Sequence, residues 1–383
     1  MPPGPLQATT YAPGWYQDPW AVAPWRWFDG RAWTGHVHGA VAAAPERKPR
    51  LPAWLSPPVL SAAVVAVPAF GYLTFTAPMA VALGLVPLLI VLPVLVWLDR
   101  VEPEPWPARL HALLWGATVA AVVAAIVNTI VAAVTNETIA AVVSAPLVEE
   151  GMKALGIVWA VRRKELDGVM DGITYAGWVA LGFAVVEDFF YFAVSDSQDV
   201  LLFTFVARAL FTPFAHPFFS AWIGLSIGLA VQRQKPIGSY LWWGLGLAVA
   251  SHAAWNGSLT VSEQYGQDGG ALVLLGAALC FFLIFVGGSI ALIRTRKGEQ
   301  RRYAEQVPVL VSVYGLTAQE VERYGTWRQA RQVRRTLERS ERGAFDRTHA
   351  ALARLALLHR RDGSINLADQ ARLRAQLDES RSK

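Results

Sequence analysis

Ionisable side chains occur inside four strongly apolar segments of this 383-residue sequence. One segment contains the adjacent pair Glu149 and Glu150, and three others contain Glu187, His216 and His252. A charged group at the depth of a lipid bilayer costs several kcal/mol unless it is paired or hydrated. Carboxylates and imidazoles transfer protons, hold a water molecule or bind a metal ion. The sequence therefore predicts a functional site that these segments build together.

Helical spacing indicates which side chains share a face. Glu149 and Lys153 are four residues apart and share one face, whereas Glu150 points about 100° away from Glu149. We therefore expect one glutamate to hold or activate a water while the other reaches a neighbouring helix or pairs with Lys153. For this motif alone, a buried Glu–Lys pair that only fixes helix packing is the alternative.

The histidines have their own local signals. His252 and Asn256 lie one helical turn apart, so the imidazole and the amide project toward the same point. His216 lies between Pro213 and Pro217, which distort a helix and free backbone carbonyls, usually where a cavity is lined. Taken alone, a buried His–Asn pair is more often a hydrogen-bonded core pair.

The depths of these groups are compatible with one cavity. At a rise of 1.5 Å per residue, Glu187, His252, Glu149 and His216 lie about 10, 12, 18 and 24 Å from the expected outer helix ends. All four can share a cavity in the central to outer half of the bilayer.

Composition predicts an all-α polytopic membrane protein. Hydrophobic residues make up 54% of the chain, charged residues only 16%, and the mean hydropathy is +0.33. About eight transmembrane helices, each able to cross roughly 30 Å of hydrocarbon, are predicted at 59–76, 79–98, 110–134, 137–160, 171–194, 200–232, 238–260 and 270–293. The predicted membrane domain is 59–293.

Basic residues predict the orientation. Arg47, Lys48 and Arg50 precede the first span, Lys and Arg also follow spans two, four, six and eight, and the other connections contain neither. By the positive-inside rule, both termini are expected to be cytoplasmic. No signal peptide is recognisable, so we expect the first span to act as the anchor. The single cysteine, Cys280, excludes an intramolecular disulfide.

A tryptophan-rich segment precedes the membrane spans. Residues 1–40 contain five of the 16 tryptophans around an Asp-Gly turn, which predicts a small β module, and 41–58 reads as a linker. The segment resembles the GWYxDP…WDGxxWT module found at the N-termini of actinobacterial membrane proteins. A docking unit and an inert folded tag are both open as its role.

The segment after the last span, 294–383, is basic, with 20 Lys and Arg against 11 Asp and Glu. Periodic leucines predict cytoplasmic amphipathic helices, at Leu352, Leu355, Leu358, Leu367, Leu373 and Leu377. We expect the arginines to contact anionic lipid. Nucleic-acid binding is disfavoured, because acidic residues are interspersed and no known motif occurs.

Four short motifs, in order and separation, resemble the PrsW family of intramembrane proteases, which is related to the CAAX-prenyl-protease and bacteriocin-processing membrane enzymes. They are Glu149-Glu-Gly-Met-Lys153, Phe183-Ala-Val-Val-Glu187, the lone His216, and His252-Ala-Ala-Trp-Asn256. An acidic-proline loop, Glu102-Pro-Glu-Pro-Trp106, also matches, and the resemblance covers roughly 85–295. It implies proteolysis of membrane-associated polypeptides, with anti-sigma factors among the substrate types.

Peptide hydrolysis needs an activated water and stabilisation of the developing oxyanion. In our preferred hypothesis Glu149 is the general base, balanced by Lys153. Asn256 orients the neighbouring imidazole or contacts the tetrahedral intermediate. The substrate is a membrane protein, for which a single-span polypeptide is a candidate.

The two histidines are expected to bind either a divalent metal ion or the oxyanion. The expected metal ligands are His216, His252 and Glu187, with Glu150 as a further ligand or a partner of one. Zinc suits such a set. A metal-free glutamate mechanism also fits, since the sequence contains no His-Glu-x-x-His motif.

Other protease classes fit less well. Ser251 adjoins His252 and therefore points about 100° away from it on a helix. An aspartyl protease needs two aspartates, and only Asp188 lies in the interior of a span, since Asp171 is the first residue of one. Asp188 is expected to neighbour Glu187 and pair with Arg208.

Two other classes of function remain alternatives. A proton-coupled transporter would relay protons through Glu149, Glu187 and His216, but it predicts an internal repeat that this sequence does not show. A non-catalytic scaffold would recruit partners through the flanking segments. Nothing in the sequence predicts the oligomeric state.

Overall fold

Most of the chain is helical in the computed structural model, which describes residues 12–18, 24–31, 33–38, 56–100, 104–163, 166, 168–314 and 323–358. Several predicted features lie outside these residues. They are the basic residues Arg47, Lys48 and Arg50, the linker up to residue 55, Glu102 of the acidic-proline loop, and Leu367, Leu373 and Leu377.

The helices follow the predicted spans closely. The first group is α1 Pro57–Thr76, α2 Pro78–Gly84, α3 Val86–Leu98, α4 Trp106–Leu114, α5 Ala121–Val134, α6 Glu137–Ile139 and α7 Ala145–Arg162. The second is α8 Val169–Ala193, α9 Gln198–Phe205, α10 Ala215–Gln232, α11 Ile237–Gln264 and α12 Gly266–Tyr314. Three π-helical turns, Trp115–Ala120, Ala140–Ser144 and Val206–Phe211, continue directly from or into these helices.

Among the residues that the structure describes, six helical stretches are long and apolar enough to cross a membrane. They are Pro57–Thr76, Pro78–Leu98, Trp106–Val134, Val169–Ala193, Gln198–Gln232 and Gly269–Gln306. The other two predicted spans, 137–160 and 238–260, correspond to α7 and α11. Polar residues lower the hydropathy of these two helices, namely Glu149, Glu150 and Lys153 of α7 and His252 and Asn256 of α11. The membrane bundle is confirmed, and the count of eight spans stays a prediction.

The central helix is α8, which has 89% of its most apolar stretch buried. Glycines allow neighbouring backbones to approach it closely. A Cβ atom added at Gly172 would lie 2.1 Å from the carbonyl oxygen of Gly224 on α10, and one at Gly182 would lie 2.0 Å from that of Leu113 on α4. These close backbone contacts hold α8, the helix that carries Glu187, against α10 and α4.

A set of buried polar contacts surrounds Glu104. The backbone N–H of Glu104 donates to the carboxylate of Asp99, which also pairs with Arg109. The Tyr175 hydroxyl, on α8, donates to Glu104 Oε2 at 2.9 Å. These contacts connect the start of α4 to α8 near the end of α8 that lies away from Glu187.

The N-terminal β module is confirmed as a three-stranded antiparallel sheet, with β1 Gly14–Gln17, β2 Trp25–Phe28 and β3 Trp33–His38 in the order β1-β2-β3. Trp15 pairs with Trp27 across the first two strands. On the other face Phe28 is only 1% exposed, and Arg26 forms a buried ion pair with Asp18 at 2.8 Å.

Helices also form in the basic C-terminal segment, as α13 Trp327–Thr336 and α14 Arg339–Leu358. The Tyr303 hydroxyl, near the end of α12, donates to the carbonyl of Tyr324 at 2.6 Å, and Phe345 of α14 stacks on the Tyr324 ring at 4.8 Å. The chain divides into two compact units, Arg50–Arg100 with Glu104–Ile293, and Met1–Pro49 with Val101–Pro103 and Arg294–Lys383.

Candidate active site

Lys153 lies at the centre of the polar cluster and is fully buried. Its Nζ lies 2.8 Å from Glu150 Oε1 and 3.6 Å from Glu149 Oε2, so Glu150 is the closer of the two adjacent glutamates. Nζ also lies 3.0 Å from His216 Nδ1 and 3.9 Å from the centre of the Phe183 ring. One cation therefore connects α7 to α8 and α10.

Glu150 holds an imidazole in place. Its carboxylate accepts from Lys153 Nζ and from the Ser220 hydroxyl of α10 at 2.7 Å, and it lies 3.2 Å from His252 Nδ1 on α11. Because a carboxylate only accepts hydrogen bonds, His252 donates from Nδ1, and in the neutral imidazole this leaves Nε2 as the acceptor. Carboxylates that orient a histidine in this way are typical of metal and catalytic sites.

Glu149 has one oxygen without a hydrogen-bond partner. Oε1 accepts from the Asn128 amide at 3.4 Å, whereas Oε2 is buried and has none among the described residues. Oε2 lies 3.9 Å from His252 Nε2. Lys153 Nζ is 3.6 Å away, beyond hydrogen-bonding distance. Since buried polar atoms are nearly always satisfied by protein, water or an ion, this oxygen is a candidate position for a further group.

His216 lies between a cation and an anion. Its Nδ1 faces Lys153, and its Nε2 lies 2.7 Å from Glu187 Oε2 on α8. The ring is nearly perpendicular to that of His252, with 5.4 Å between the ring centres. The histidines of α10 and α11 are therefore neighbours, although 36 positions separate them in the sequence.

Arg208 completes the cluster from the π-helical turn Val206–Phe211. Its Nε lies 2.6 Å from Asp188 Oδ1, and its Nη2 donates to Glu187 Oε2. The guanidinium also stacks on the Tyr191 ring at 3.9 Å. Asp188 therefore neighbours Glu187 and pairs with Arg208, and it does not face a second aspartate as an aspartyl dyad would.

Part of this cluster lines a cavity of about 820 Å³. Its lining includes Glu149, Glu187, His216 and His252, which the sequence placed at compatible depths. The lining also extends to Glu137, Thr138 and Glu263, beside connections that contain no Lys or Arg and that the sequence analysis placed outside.

Asn256 lines this cavity but has a different partner from the expected one. Its Nδ2 donates to the carbonyl of Ala141 at 2.8 Å, within the π-helical turn before α7. No hydrogen bond joins it to His252 among the described residues. One of the two N–H groups of the amide is therefore used to connect α11 to that turn, and the second is available to a ligand.

Three residues form the candidate metal site. One ligand atom each from Glu149, His216 and His252 lies within 4.8 Å of the others. Glu187, an expected ligand, is not in this set. Its Oε2 instead contacts Arg208 Nη2 and His216 Nε2.

Electrostatics also fit a divalent cation. Four carboxylates in the cluster face one ammonium and one guanidinium, which leaves two negative charges unbalanced when both imidazoles are neutral. A buried charge needs a partner. Together with the unsatisfied Oε2 of Glu149, this imbalance fits an ion bound by a mixed carboxylate and imidazole set.

Three participating residues were not found from the sequence. Ser220 contacts Glu150, Asn128 contacts Glu149, and Ser144 contacts Asn128. The serines carry no distinguishing signal, because they are frequent in membrane helices. Asn128 had one, as a carboxamide in the otherwise apolar run AVVAAIVNTIVAAV of α5.

A polytopic helix bundle that encloses carboxylates, imidazoles and a cavity is the arrangement expected of a membrane-embedded enzyme. Residues 104–288 match the family model described as PrsW family intramembrane metalloprotease. This membrane domain belongs to the PrsW family, and the protein is a membrane-embedded protease. The family description includes a metal ion, and the Glu149, His216 and His252 set fits one.

Curated relatives agree with this assignment. The chain is 28% identical to Protease PrsW of Geobacillus kaustophilus (strain HTA426) over 179 residues, which is 46% of this chain and 77% of the relative. It is 27% identical to Protease PrsW of Clostridioides difficile (strain 630) over 206 residues, 49% of this chain and 82% of the relative.

Other matches add little. A 106-residue stretch is 35% identical to the probable peptidoglycan glycosyltransferase FtsW of Alkalilimnicola ehrlichii (strain ATCC BAA-1101 / DSM 17681 / MLHE-1), but covers only 24% of either chain. Residues 13–46 match a family described as a protein of unknown function (DUF2510). No solved structure matches the chain.

Proposed function

We propose that this protease hydrolyses peptide bonds of membrane proteins with a water molecule that Glu149 activates. The observation that carries the proposal is the buried Oε2 of Glu149, which has no hydrogen-bond partner among the described residues and lies 3.9 Å from Nε2 of His252. A water between these atoms can donate one hydrogen bond to each. The geometry needs no movement of α7 or α11.

In the proposed reaction, Glu149 accepts a proton as the water oxygen attacks the carbonyl carbon of the scissile bond. The resulting oxyanion needs hydrogen-bond donors. Asn256 and Arg208 line the cavity and carry N–H groups that can serve as these donors. Glu149 then gives its proton to the leaving nitrogen as the C–N bond breaks, which yields a carboxylic acid, which retains the other proton of the water, and an amine.

The remaining polar residues position these groups. Glu150 fixes the tautomer and orientation of His252, and Glu187 does the same for His216. Lys153 balances the charge of both adjacent glutamates. Because Glu150 and Lys153 are fully buried, they hold the reacting atoms without competition from bulk water.

We further propose that Glu149, His216 and His252 bind a divalent ion, with zinc the best match to the ligand types. When bound, such an ion supplies Lewis acidity to the attacking water and the scissile carbonyl. Glu187 then acts as the carboxylate that orients a ligand histidine, rather than as a ligand.

The proposed substrates are single-span membrane proteins, with anti-sigma factors as candidates, cut near the outer side of a bacterial cytoplasmic membrane. The cavity lining at Glu137, Thr138 and Glu263 supports this side, given the predicted orientation with both termini cytoplasmic. In the basic tail, exposed arginines of α13 are proposed to contact anionic lipid, namely Arg328, Arg331, Arg334 and Arg335.

The test uses detergent-purified full-length protein and a panel of single-span membrane proteins, with products identified by mass spectrometry. Wild type is expected to give a discrete product pair from at least one of them. Glu149→Gln, His216→Ala and His252→Ala should insert into the membrane but lose cleavage. The matched control is Ser226→Ala, which removes a buried hydroxyl bonded only within its own helix.

Equal cleavage by wild type and all three site variants would overturn the proposal. A chelator arm tests the metal separately. Loss of cleavage that zinc restores supports the ion, whereas undiminished cleavage in chelator removes the ion from the mechanism and leaves Glu149 as its base.

A further inference from the structure

Asn128 contacts the proposed general base from a different helix. Its Nδ2 lies 3.4 Å from Glu149 Oε1, and its side chain lines the cavity. Asn128 and Thr129 are the two polar residues of α5, and the other residues of this helix are apolar. A carboxamide in such a helix is expensive unless it is hydrogen-bonded, so its position next to Glu149 calls for a specific role.

Ser144 determines which way the amide points. The Ser144 hydroxyl donates to Asn128 Oδ1 at 2.8 Å, so the NH₂ group is directed at Glu149. Ser144 is buried and is the last residue of the π-helical turn Ala140–Ser144, which precedes α7 directly. The serine and the glutamate thus lie five residues apart on one continuous helical segment and contact the same asparagine.

This arrangement makes the two oxygens of Glu149 different. Oε1 is occupied by the Asn128 amide, whereas Oε2 has no hydrogen-bond partner and faces His252. A carboxylate without an anchor rotates about its last bond and exchanges its oxygens. The N–H donor on Oε1 opposes that exchange, together with the Lys153 ammonium 3.6 Å from Oε2, and directs Oε2 at the proposed water.

We propose that Asn128, oriented by Ser144, is a positioning residue that fixes the Glu149 carboxylate for catalysis. The inference rests on the proposed role of Glu149 as the base. Asn128 touches neither the water nor the scissile bond in this account, so its effect appears in kcat rather than in KM. A role limited to packing α5 against α7 would instead change the stability of the bundle.

The experiment measures kcat, KM and the thermal unfolding midpoint, with a single-span protein cleaved in the panel above as the probe. Asn128→Ala is expected to lower kcat about tenfold to a hundredfold, the usual cost of removing such a supporting partner, with KM within about twofold. Asn128→Asp keeps the shape but loses the donor, so it should lose at least as much. Unfolding midpoints should stay near that of wild type.

Coupling between the two residues gives a sharper readout. Ser144→Ala should lower kcat less than Asn128→Ala does, and the double variant should match Asn128→Ala alone, because Ser144 acts only through the amide. Ser226→Ala is the matched hydroxyl deletion and should leave kcat unchanged.

Two failures are distinguishable. If Glu149→Gln turns over like wild type, the proposed function fails whatever Asn128 does. If Glu149→Gln is inactive while Asn128→Ala and Asn128→Asp keep the wild-type kcat, only the positioning role is overturned. The positioning role would also be overturned if the losses of kcat in Asn128→Ala and Ser144→Ala were additive in the double variant and the unfolding midpoints were lower. That result would indicate a packing role for Asn128.

Discussion

His252 Nδ1 lies 3.2 Å from Glu150 Oε1, so a carboxylate on α7 sets the orientation of an imidazole on α11. The second glutamate of the pair is therefore a structural anchor of the site, while the first has the unsatisfied oxygen. This division of roles between adjacent residues leads to different expected effects of substitution at each.

Glu150→Gln is expected to destabilise the protein as well as inactivate it. It leaves the buried Lys153 ammonium without its nearest counter-charge, and breaking a buried pair in this way typically costs about 3–5 kcal/mol. Ser220→Ala removes one hydroxyl from the same carboxylate and should cost about 1 kcal/mol. Thermal unfolding of the purified variants measures both. A Glu150→Gln midpoint equal to that of Ser220→Ala would contradict the anchoring role.

Gly172→Ala is expected to destabilise the bundle by about 1–3 kcal/mol or more, through overpacking of α8 against α10. The added Cβ would lie 2.1 Å from the Gly224 carbonyl oxygen, a distance that forces the helices apart. Gly246→Ala on α11 is the matched control, because nothing lies within 4 Å of its Cβ position. It should be neutral or slightly stabilising. Equal unfolding midpoints for the two variants would argue against the close crossing.

The basic tail is expected to lose stability as the pH falls. Burial against Tyr303, Tyr324 and Phe345 lowers the pKa of His349 from 6.5 to about 4. The unfolded tail therefore binds a proton between these values and the folded tail does not, so stability is full above about pH 6.5 and declines toward pH 4.

Hydrogen exchange of the α14 amides, corrected for intrinsic rates, measures this effect. Protection should decrease between pH 6.5 and 4 in the wild-type protein. His349→Phe keeps an aromatic ring without the titrating group and should show a flatter profile. An identical decrease in both proteins would show that another group is responsible.

The metal content of purified variants tests whether Glu149 or Glu187 is the carboxylate ligand beside His216 and His252. Dialysed wild-type protein is expected to retain a stoichiometric divalent ion, and His252→Ala should lose it. Glu187→Gln should retain it, because Glu187 lies outside the set of Glu149, His216 and His252. Loss of the ion from Glu187→Gln to the same extent as from His252→Ala would make Glu187 a ligand. A metal-free wild type would contradict the ion site.

Much of the architecture follows from the sequence. Apolar runs interrupted by polar residues indicate both the membrane helices and the polar cluster between them. The apolar runs predict the helix bundle, and the interruptions at Glu149, His216 and His252 predict the cluster within it. The Asp-Gly turn and its tryptophans predict the sheet in the same local way. These features depend on periodicity and composition, which the chain displays directly.

The detailed pairing does not follow from the sequence. Glu150 meets Ser220 across 70 positions, and no local pattern specifies that contact. The π-helical turn before α7 changes the helical phase, so a period of 3.6 residues does not predict how Ser144 and Glu149 are related. Which glutamate oxygen is left unsatisfied depends on Asn128, a side chain without charge.

The most direct test of the central claim is a single-turnover cleavage measurement in proteoliposomes. Wild type and Glu149→Gln are reconstituted with the same single-span substrate, and the products are quantified by mass spectrometry. If Glu149 is the base, the variant should insert and unfold like wild type but cleave about 10²–10⁴-fold more slowly. Cleavage by Glu149→Gln at the wild-type rate would contradict the account.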